Sequence, residues 1–110
     1  MTEVKTPKEF FENVLPKRFK PDRAEGIDAI LQIKITGPKG ADWVVALKDQ
    51  KLVAREGKHN SPTLTLEMAE TDFMDLINGE LSSEKAFFTG KLRFKGSIAL
   101  ALKLKETGFL

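Results

Sequence analysis

The residues of this chain that could do chemistry are few and poorly placed for catalysis. His59 is the single histidine, and its position in the polar loop 57–62 predicts a solvated side chain. No cysteine is available to complete a zinc site. No hydroxyl has a credible base beside it, so we expect no Ser-His-Asp arrangement. Asp72 and Asp75, one helical turn apart, imitate a carboxylate pair, but acids are also common at a helix start because they complement its dipole. We therefore expect no enzyme activity, no metal and no cofactor.

Composition narrows the class of protein further. The 110 residues fit one domain, 1–110, and the net charge of +2 is too small to indicate nucleic acid as a partner. The glycines are spaced as turns and caps, not as a phosphate-binding loop. The chain shows no apolar leader, no apolar run of the ~20 residues that span a bilayer, and no peroxisomal address at its end. From this we expect a cytoplasmic location.

The N-terminal segment predicts an amphipathic helix. Thr6 is a good cap and Pro7 suits the first helical position, whereas Pro16 predicts a kink or a break after Leu15. The apolar stripe consists of Phe10, Phe11, Val14, Leu15 and Phe19, and the cations Lys17, Arg18, Lys20 and Arg23 follow or interrupt it. Two interpretations stay open: a helix packed on the core, or a basic helix in weak contact with an anionic membrane surface.

Alternating apolar and polar residues predict five strands. Their expected bounds are 27–36, 42–48, 52–56, 63–68 and 91–95. Gln50 lies where a tight hairpin between the second and third strands favours glycine. Helices are expected at 70–79, with Asn78-Gly79 as the C-cap, and at 81–88, with Ser82 or Ser83 as the N-cap. A third is expected from Ser97, its N-cap, to Leu104, although its alternation also suits a strand. The pattern predicts an α+β fold with a five-stranded, mainly antiparallel sheet and helices covering one face.

One block near the C-terminal end has the most specific sequence pattern. It reads Ala86-Phe87-Phe88-Thr89-Gly90-Lys91-Leu92-Arg93-Phe94-Lys95-Gly96 and leads into the helix rich in Ala, Leu and Lys. Together with Asp42-Trp43-Val44-Val45 and the Asp-Phe-x-x-Leu-x-x-Gly pattern at 72–79, this block resembles the sterol carrier protein 2 family of lipid-binding domains. The Phe-Phe-x-x-x-Leu-Pro-x-Arg-Phe segment at 10–19 is similar to the start of stand-alone bacterial and archaeal members.

The resemblance implies a fold, a function and a binding surface. It implies helices that roof the sheet and enclose an apolar tunnel for a fatty acid, fatty acyl-CoA, phospholipid or sterol-like lipid, with binding and intracellular transfer but no catalysis. The expected wall residues are apolar and come from strands and helices alike: Leu31, Ile33, Trp43, Val45, Leu66, Phe73, Leu76, Ile77, Phe87, Phe88, Leu92, Phe94, Ile98 and Leu102. Each of these could instead simply pack the core. Ala99 stands where the family often has glycine and is expected to narrow the tunnel.

A second hypothesis comes from a different class of function. Members of the family also occur fused to enzymes, so the chain could be a non-catalytic accessory or protein-interaction domain that serves a separate enzyme. An enzyme that acts on acyl thioesters is a third, weaker reading. The sequence leaves the identity of the lipid and the oligomeric state open.

Overall fold

The computed structural model describes residues 3–38 and 40–108 and shows an α+β fold. The sequence Gly-Pro-Lys-Gly at 37–40 predicts a turn, and its Lys39 lies outside the described part, as do the first two and the last two residues of the chain. The helices are α1, composed of Pro7–Glu9, a π-helical turn Phe10–Val14 and Leu15–Arg18, then α2 Glu70–Ile77, α3 Ser83–Phe88 and α4 Ile98–Glu106. The strands are β1 Ala29–Thr36, β2 Asp42–Lys48, β3 Lys51–Glu56, β4 Leu64–Ala69 and β5 Leu92–Lys95, and a 3-10 turn spans Pro21–Arg23.

The five strands form one mixed sheet in the order β3-β2-β1-β4-β5. All neighbouring pairs are antiparallel except β1 and β4, which run parallel with Ile33 opposite Leu66. A parallel pair needs a long crossover, and the hairpin of β2 and β3 with the following loop provides it. The predicted mainly antiparallel α+β fold is confirmed.

The register places the apolar residues of the central strands on one face. Ile33 lies between Trp43 of β2 and Leu66 of β4, and all three side chains are buried. Because side chains alternate along a strand, the intervening residues point to the opposite face. The helices pack on the apolar face, so the core lies between one layer of helices and one sheet.

Helix α1 continues past Pro16 to Arg18, so of the two predicted outcomes, a kink or a break after Leu15, the break does not occur. The Thr6 hydroxyl accepts a hydrogen bond from the Glu9 amide at 3.1 Å, which confirms the predicted cap. The turn Phe10–Val14 then widens, and the Leu15 amide donates to the Phe10 carbonyl five residues back. A proline has no amide to donate and its ring crowds the carbonyl four residues earlier, so a wider π-helical turn lets the helix continue to Arg18.

The geometry of the hairpin between β2 and β3 explains why Gln50 occupies a position where glycine is favoured. Asp49 and Gln50 have φ angles of 53° and 61°, the left-handed pair that a tight two-residue hairpin requires. The Gln50 side-chain amide donates to the Pro21 carbonyl at 3.0 Å. A glycine would relieve the backbone strain but could not make this bond, which links the hairpin to the turn after α1.

On the opposite face of the sheet, Gln32 is buried beneath a loop. Its side-chain amide donates to the carbonyls of Trp43 and Gly57, each at 3.1 Å, and its carbonyl oxygen accepts from the His59 amide at 2.7 Å. Ring nitrogen Nδ1 of His59 in turn accepts from the Ser61 amide at 3.0 Å. His59 is half-buried and structural, and not the fully solvated side chain that its polar loop indicated.

Helix α4 is held in place at both ends. Gly96 has a φ of 137°, and a Cβ there would lie 2.7 Å from a Leu64 methyl, so only glycine lets the chain pass over β4. The Ser97 hydroxyl accepts from the Leu100 amide at 3.2 Å, which confirms the predicted helix and its cap. At the other end the Lys20 amide donates to the Thr107 carbonyl at 2.8 Å. No helix within the described residues is long and apolar enough to cross a membrane.

Candidate functional site

A cavity of about 270 Å³ lies between helices α3 and α4 and the strands β4 and β5. Its wall is almost entirely apolar. The lining residues are Leu64, Leu66, Ser83, Glu84, Phe87, Phe88, Leu92, Phe94, Ile98, Ala101, Leu102, Leu104 and Lys105. Such a wall offers dispersion and apolar burial to a ligand.

The cavity opens to solvent through side chains that are themselves apolar. Phe88 is 83% exposed, Leu102 61%, Ile98 60% and Phe87 43%. Exposing large apolar side chains around an apolar cavity is unfavourable in water, and such a patch usually marks a binding surface. The floor differs, because Leu64, Leu66, Leu92 and Leu104 are buried.

Local sequence determines which side chains reach the cavity. The Ser82 hydroxyl caps α3 by accepting a hydrogen bond from the Lys85 amide at 3.1 Å. This cap fixes where the helix begins, and the helical turn that follows places Ala86 against the core and Phe87 and Phe88 at the cavity. Thr89 closes the helix, since its hydroxyl donates to the Lys85 carbonyl at 2.7 Å. The small Ala86 therefore lets α3 approach the sheet while the two rings stay at the opening.

The polar part of the lining is confined to the edge of the cavity. Glu84 of α3 and Lys105 of α4 form an ion pair that connects the two helices. Both side chains are about half exposed, so solvent screens the pair and it contributes at most about 1 kcal/mol to stability. Ser83 adds a hydroxyl near the same edge. Within the described lining, this edge is the one place where side chains could form hydrogen bonds with the polar end of an amphipathic ligand.

A second, larger depression has a different character. It measures about 560 Å³ and lies near the start of α1. Its lining mixes apolar residues with charged side chains of both signs, among them Lys5, Lys8, Glu56, Glu70 and Asp75. An apolar ligand in this depression would remove water from the charged side chains, which is unfavourable. The smaller, apolar cavity is therefore the candidate site.

The other end of the covered face is filled by an aromatic cluster. The Phe11 ring stacks on Trp43 at 4.8 Å between centroids and on Phe73 at 5.6 Å, both with planes 19° apart. Phe10 contacts Phe11 and Phe73 edge-on at 5.2 and 5.7 Å. All four side chains are buried, so the apolar stripe of α1 packs on the core and is not free to lie on a membrane.

The fourteen predicted wall residues divide evenly between the cavity lining and the packed core. Seven of them line the cavity: Leu66, Phe87, Phe88, Leu92, Phe94, Ile98 and Leu102. The other seven lie in the packed core outside its lining: Leu31, Ile33, Trp43, Val45, Phe73, Leu76 and Ile77. As ligand contacts, all fourteen stay predictions.

Sequence reasoning also missed part of the lining. Leu64 begins β4, and the alternation of that strand already predicts its inward face. A strictly helical period across α4 would also have identified Ala101 and Leu104 as inward-facing. Ser83, Glu84 and Lys105 gave no signal, because polar residues on short helices are usually solvated. Ala99 is exposed and outside the lining, so the expectation that it narrows the cavity is wrong.

The residues considered for chemistry are not assembled into a reactive site. His59 lies in the loop over the opposite face of the sheet, bonded to Gln32. Asp72 lies in the first turn of α2, where its carboxylate is 4.0 Å from the Lys91 ammonium. In the described parts of the chain, no cluster of histidine, cysteine, aspartate or glutamate could hold a metal ion.

The profile of the SCP-2 sterol transfer family matches residues 11–107 of this chain. The chain belongs to that family. The human protein named sterol carrier protein 2 is 38% identical over 70 residues, which are 64% of this chain and 13% of the human one. The chain thus spans only about an eighth of this curated relative's length, and the predicted family resemblance is confirmed.

Solved structures show the same fold. The palmitated SCP2L2 of Aedes aegypti is 28% identical, with a TM-score of 0.71 over 89% of this chain and 90% of that one. The inverting sec-alkylsulfatase Pisa1 from Pseudomonas sp. is 21% identical, with a TM-score of 0.79 over 94% of this chain and 16% of the sulfatase. The second likeness concerns the fold alone.

Proposed function

We propose that the chain binds the acyl chain of a lipid, such as a long-chain fatty acid, in the cavity between α3, α4, β4 and β5. The observation that carries the proposal is a cavity with an almost wholly apolar wall whose opening exposes Phe88, Ile98 and Leu102 to water. Membership of the SCP-2 sterol transfer family and the palmitated insect structure, 28% identical, support the same ligand class.

The energetics of this site favour a flexible chain. Each methylene that leaves water for an apolar wall contributes about 0.8 kcal/mol, or roughly fourfold in affinity. The volume of about 270 Å³ lies just below the range of about 300–1,000 Å³ typical of small-molecule sites. A slender acyl chain suits this volume better than a rigid sterol ring system. We expect affinity to rise with chain length and to level off once the cavity is full.

The polar end of the ligand belongs at the edge of the cavity. A carboxylate that is drawn inside would lose hydration without a partner, which costs several kcal/mol. At the edge it can stay hydrated and accept from the Lys105 ammonium in competition with Glu84. The arrangement is one for holding and releasing a lipid, and we propose no catalytic step for it. No contact or surface in the described chain favours the accessory-domain alternative.

The experiment is displacement of a fluorescent fatty acid from delipidated protein by C8 to C18 fatty acids. Ala101→Trp should fill the cavity and weaken binding at least tenfold, because Ala101 lies in the lining. Ala99→Trp is the matched control: it adds the same side chain to the same helix at an exposed position outside the lining. Equal affinities of the two variants, or no displacement by any acid at tens of micromolar, would refute the proposal.

A further inference from the structure

We propose that the protein docks on an anionic lipid bilayer through the surface around the cavity opening. The mouth surface, as we call it, consists of Phe87, Phe88, Ile98 and Leu102 of helices α3 and α4. The inference rests on the proposed function, because a bilayer is the phase that supplies and accepts an acyl chain. It adds the place of contact and the charge of the membrane.

Exposure of large apolar side chains is concentrated at this surface. Among the described residues, five large apolar side chains are exposed, and the four of the mouth surface all line the cavity. The fifth, Val53, is on β3 at the opposite edge of the sheet from β5. An exposed apolar patch that is continuous with an apolar cavity fits a lipid phase, since the ligand then passes between cavity and bilayer without crossing water.

Charge is concentrated in the same part of the molecule. Residues 83–108, which form α3, β5 and α4, contain five lysines and one arginine against two glutamates. Their net charge is +4 in a chain whose total is +2. Lys91 and Arg93 form ion pairs with Asp72 and Glu67 outside this segment, at 4.0 and 3.7 Å, so an excess of about +2 remains here. Lys85 on α3 and Lys103 on α4 are exposed and lie outside the cavity lining. Both lysines belong to the helices that carry the mouth surface, and cations there are attracted to the negative surface of a bilayer that contains anionic lipids.

The alternative membrane surface predicted from the sequence does not fit the packing. That interpretation placed Phe10 and Phe11 on the membrane, but both rings are buried against Trp43 and Phe73. Inserting them would require the aromatic cluster to open. The cations beyond them keep their exposure, yet none of the exposed large apolar side chains among the described residues lies on α1.

A label at one position tests the docking geometry directly. The chain has no cysteine, so Phe88→Cys and Val53→Cys each create a single attachment site for an environment-sensitive fluorophore. Both positions are well exposed, at 83% and 62%, so each substitution should cost little stability. With vesicles of phosphatidylcholine and 30 mol% phosphatidylserine at low salt, we expect a blue shift and increased emission from position 88 and no change from position 53.

A charge variant tests the electrostatic part without touching the cavity. Lys85→Gln with Lys103→Gln should weaken co-sedimentation with these vesicles by about 30-fold, at roughly fivefold for each lysine. Lys48→Gln with Lys51→Gln, at the exposed hairpin end of β2 and β3, is the matched control and should change it little. Added salt should weaken the native protein's binding in the same way.

The outcomes separate this inference from the proposed function. Fatty acid binding, measured without vesicles, should be unaffected in the Lys85 and Lys103 variant. If fatty acid binds but vesicles shift positions 88 and 53 alike, or the two lysine pairs have equal effects, the docking surface is wrong and the lipid site stands. A concentration-dependent dimer in native mass spectrometry that shields position 88, with no vesicle shift, would assign the surface to a second copy of the chain and overturn the proposal.

Discussion

The two ends of the helix-covered face are built from similar side chains but differ in how well they are filled. Under α1, the Phe11 ring stacks on Trp43 and Phe73 with centroid distances of 4.8 and 5.6 Å, and all three rings are buried. At the end between α3 and α4, the ring centroids of Phe87 and of Phe94 on β5 lie 5.1 Å apart, yet a cavity of about 270 Å³ remains beside them. Aromatic content alone therefore does not distinguish a core from a binding site.

The difference lies in what occupies the space between the elements. Helix α1 inserts Phe11 into the gap above the sheet, whereas α4 presents the small Ala101 at the corresponding cavity wall. The rings of α3 turn toward solvent, with Phe88 83% exposed. A region that is incompletely packed loses dispersion contacts and stability until something fills it.

The largest expected difference is in stability to truncation. Phe11→Ala removes a ring with two stacked neighbours and should lower the free energy of unfolding by about 3–5 kcal/mol. Phe88→Ala removes a mostly exposed ring and should stay within about 0.5 kcal/mol. Urea unfolding of both variants measures the contrast. Comparable losses in the two would show that the α3 end is packed as tightly as the α1 end.

Ligand should stabilise the incompletely packed end. At a fatty acid concentration 100 times the dissociation constant, mass action alone adds about 2.7 kcal/mol. For a domain of this size, that raises the melting temperature by roughly ten degrees. Thermal unfolding of delipidated protein checks this, with lauric acid below its critical micelle concentration. The same shift in Ala101→Trp would mean that the lipid binds elsewhere.

The Gln32 network predicts a smaller loss on the opposite face. Gln32→Leu leaves the Trp43 and Gly57 carbonyls and the His59 amide without their partner, which should cost about 1–3 kcal/mol. Lys34→Leu, an exposed position of the same strand and face, is the control and should change stability by less than about 0.5 kcal/mol. Equal effects in chemical denaturation would show that the network contributes nothing specific.

The smallest expected effect belongs to the ion pair across the cavity edge. A double-mutant cycle of Glu84→Gln and Lys105→Gln should give a coupling in stability below about 1 kcal/mol, because both side chains are about half exposed. The Lys105→Gln variant should bind lauric acid more weakly than Lys103→Gln, whereas both should bind dodecanol as the native protein does. A strong stability coupling would instead make the pair a clamp between α3 and α4.

The sequence predicted the five strands and the caps Thr6 and Ser97, and it left Ser82 or Ser83 open as the cap of α3, because alternation and capping are local properties. It could not predict the π-helical turn before Pro16, which depends on how a helix continues past a missing amide. Nor could it separate Leu31 or Val45 from Leu92 or Leu102. All are apolar residues on inward faces, and only the packing of neighbouring elements decides which of them border a void.

The Gln50 and Asn78 side chains make a related point about long-range contacts. Asn78 was expected as a helix cap, but its side chain also accepts from the Val4 amide at 2.8 Å and donates to the Val4 carbonyl at 2.9 Å. Gln50 looked unfavourable in its turn until its bond to Pro21 was seen. Bonds between residues far apart in sequence leave no periodic signal.

The most direct test of the account is to see which end of the molecule touches a bound lipid. Delipidated protein with labelled methyl groups is mixed with ¹³C-labelled lauric acid, and intermolecular nuclear Overhauser effects are recorded. We predict contacts from the acyl chain to the methyl groups of Leu66, Leu92 and Leu102 in the cavity lining, and none to Leu31 or Val45 in the packed core. Contacts to Leu31 and Val45, or no contacts to the cavity lining at saturating lipid, would contradict the account.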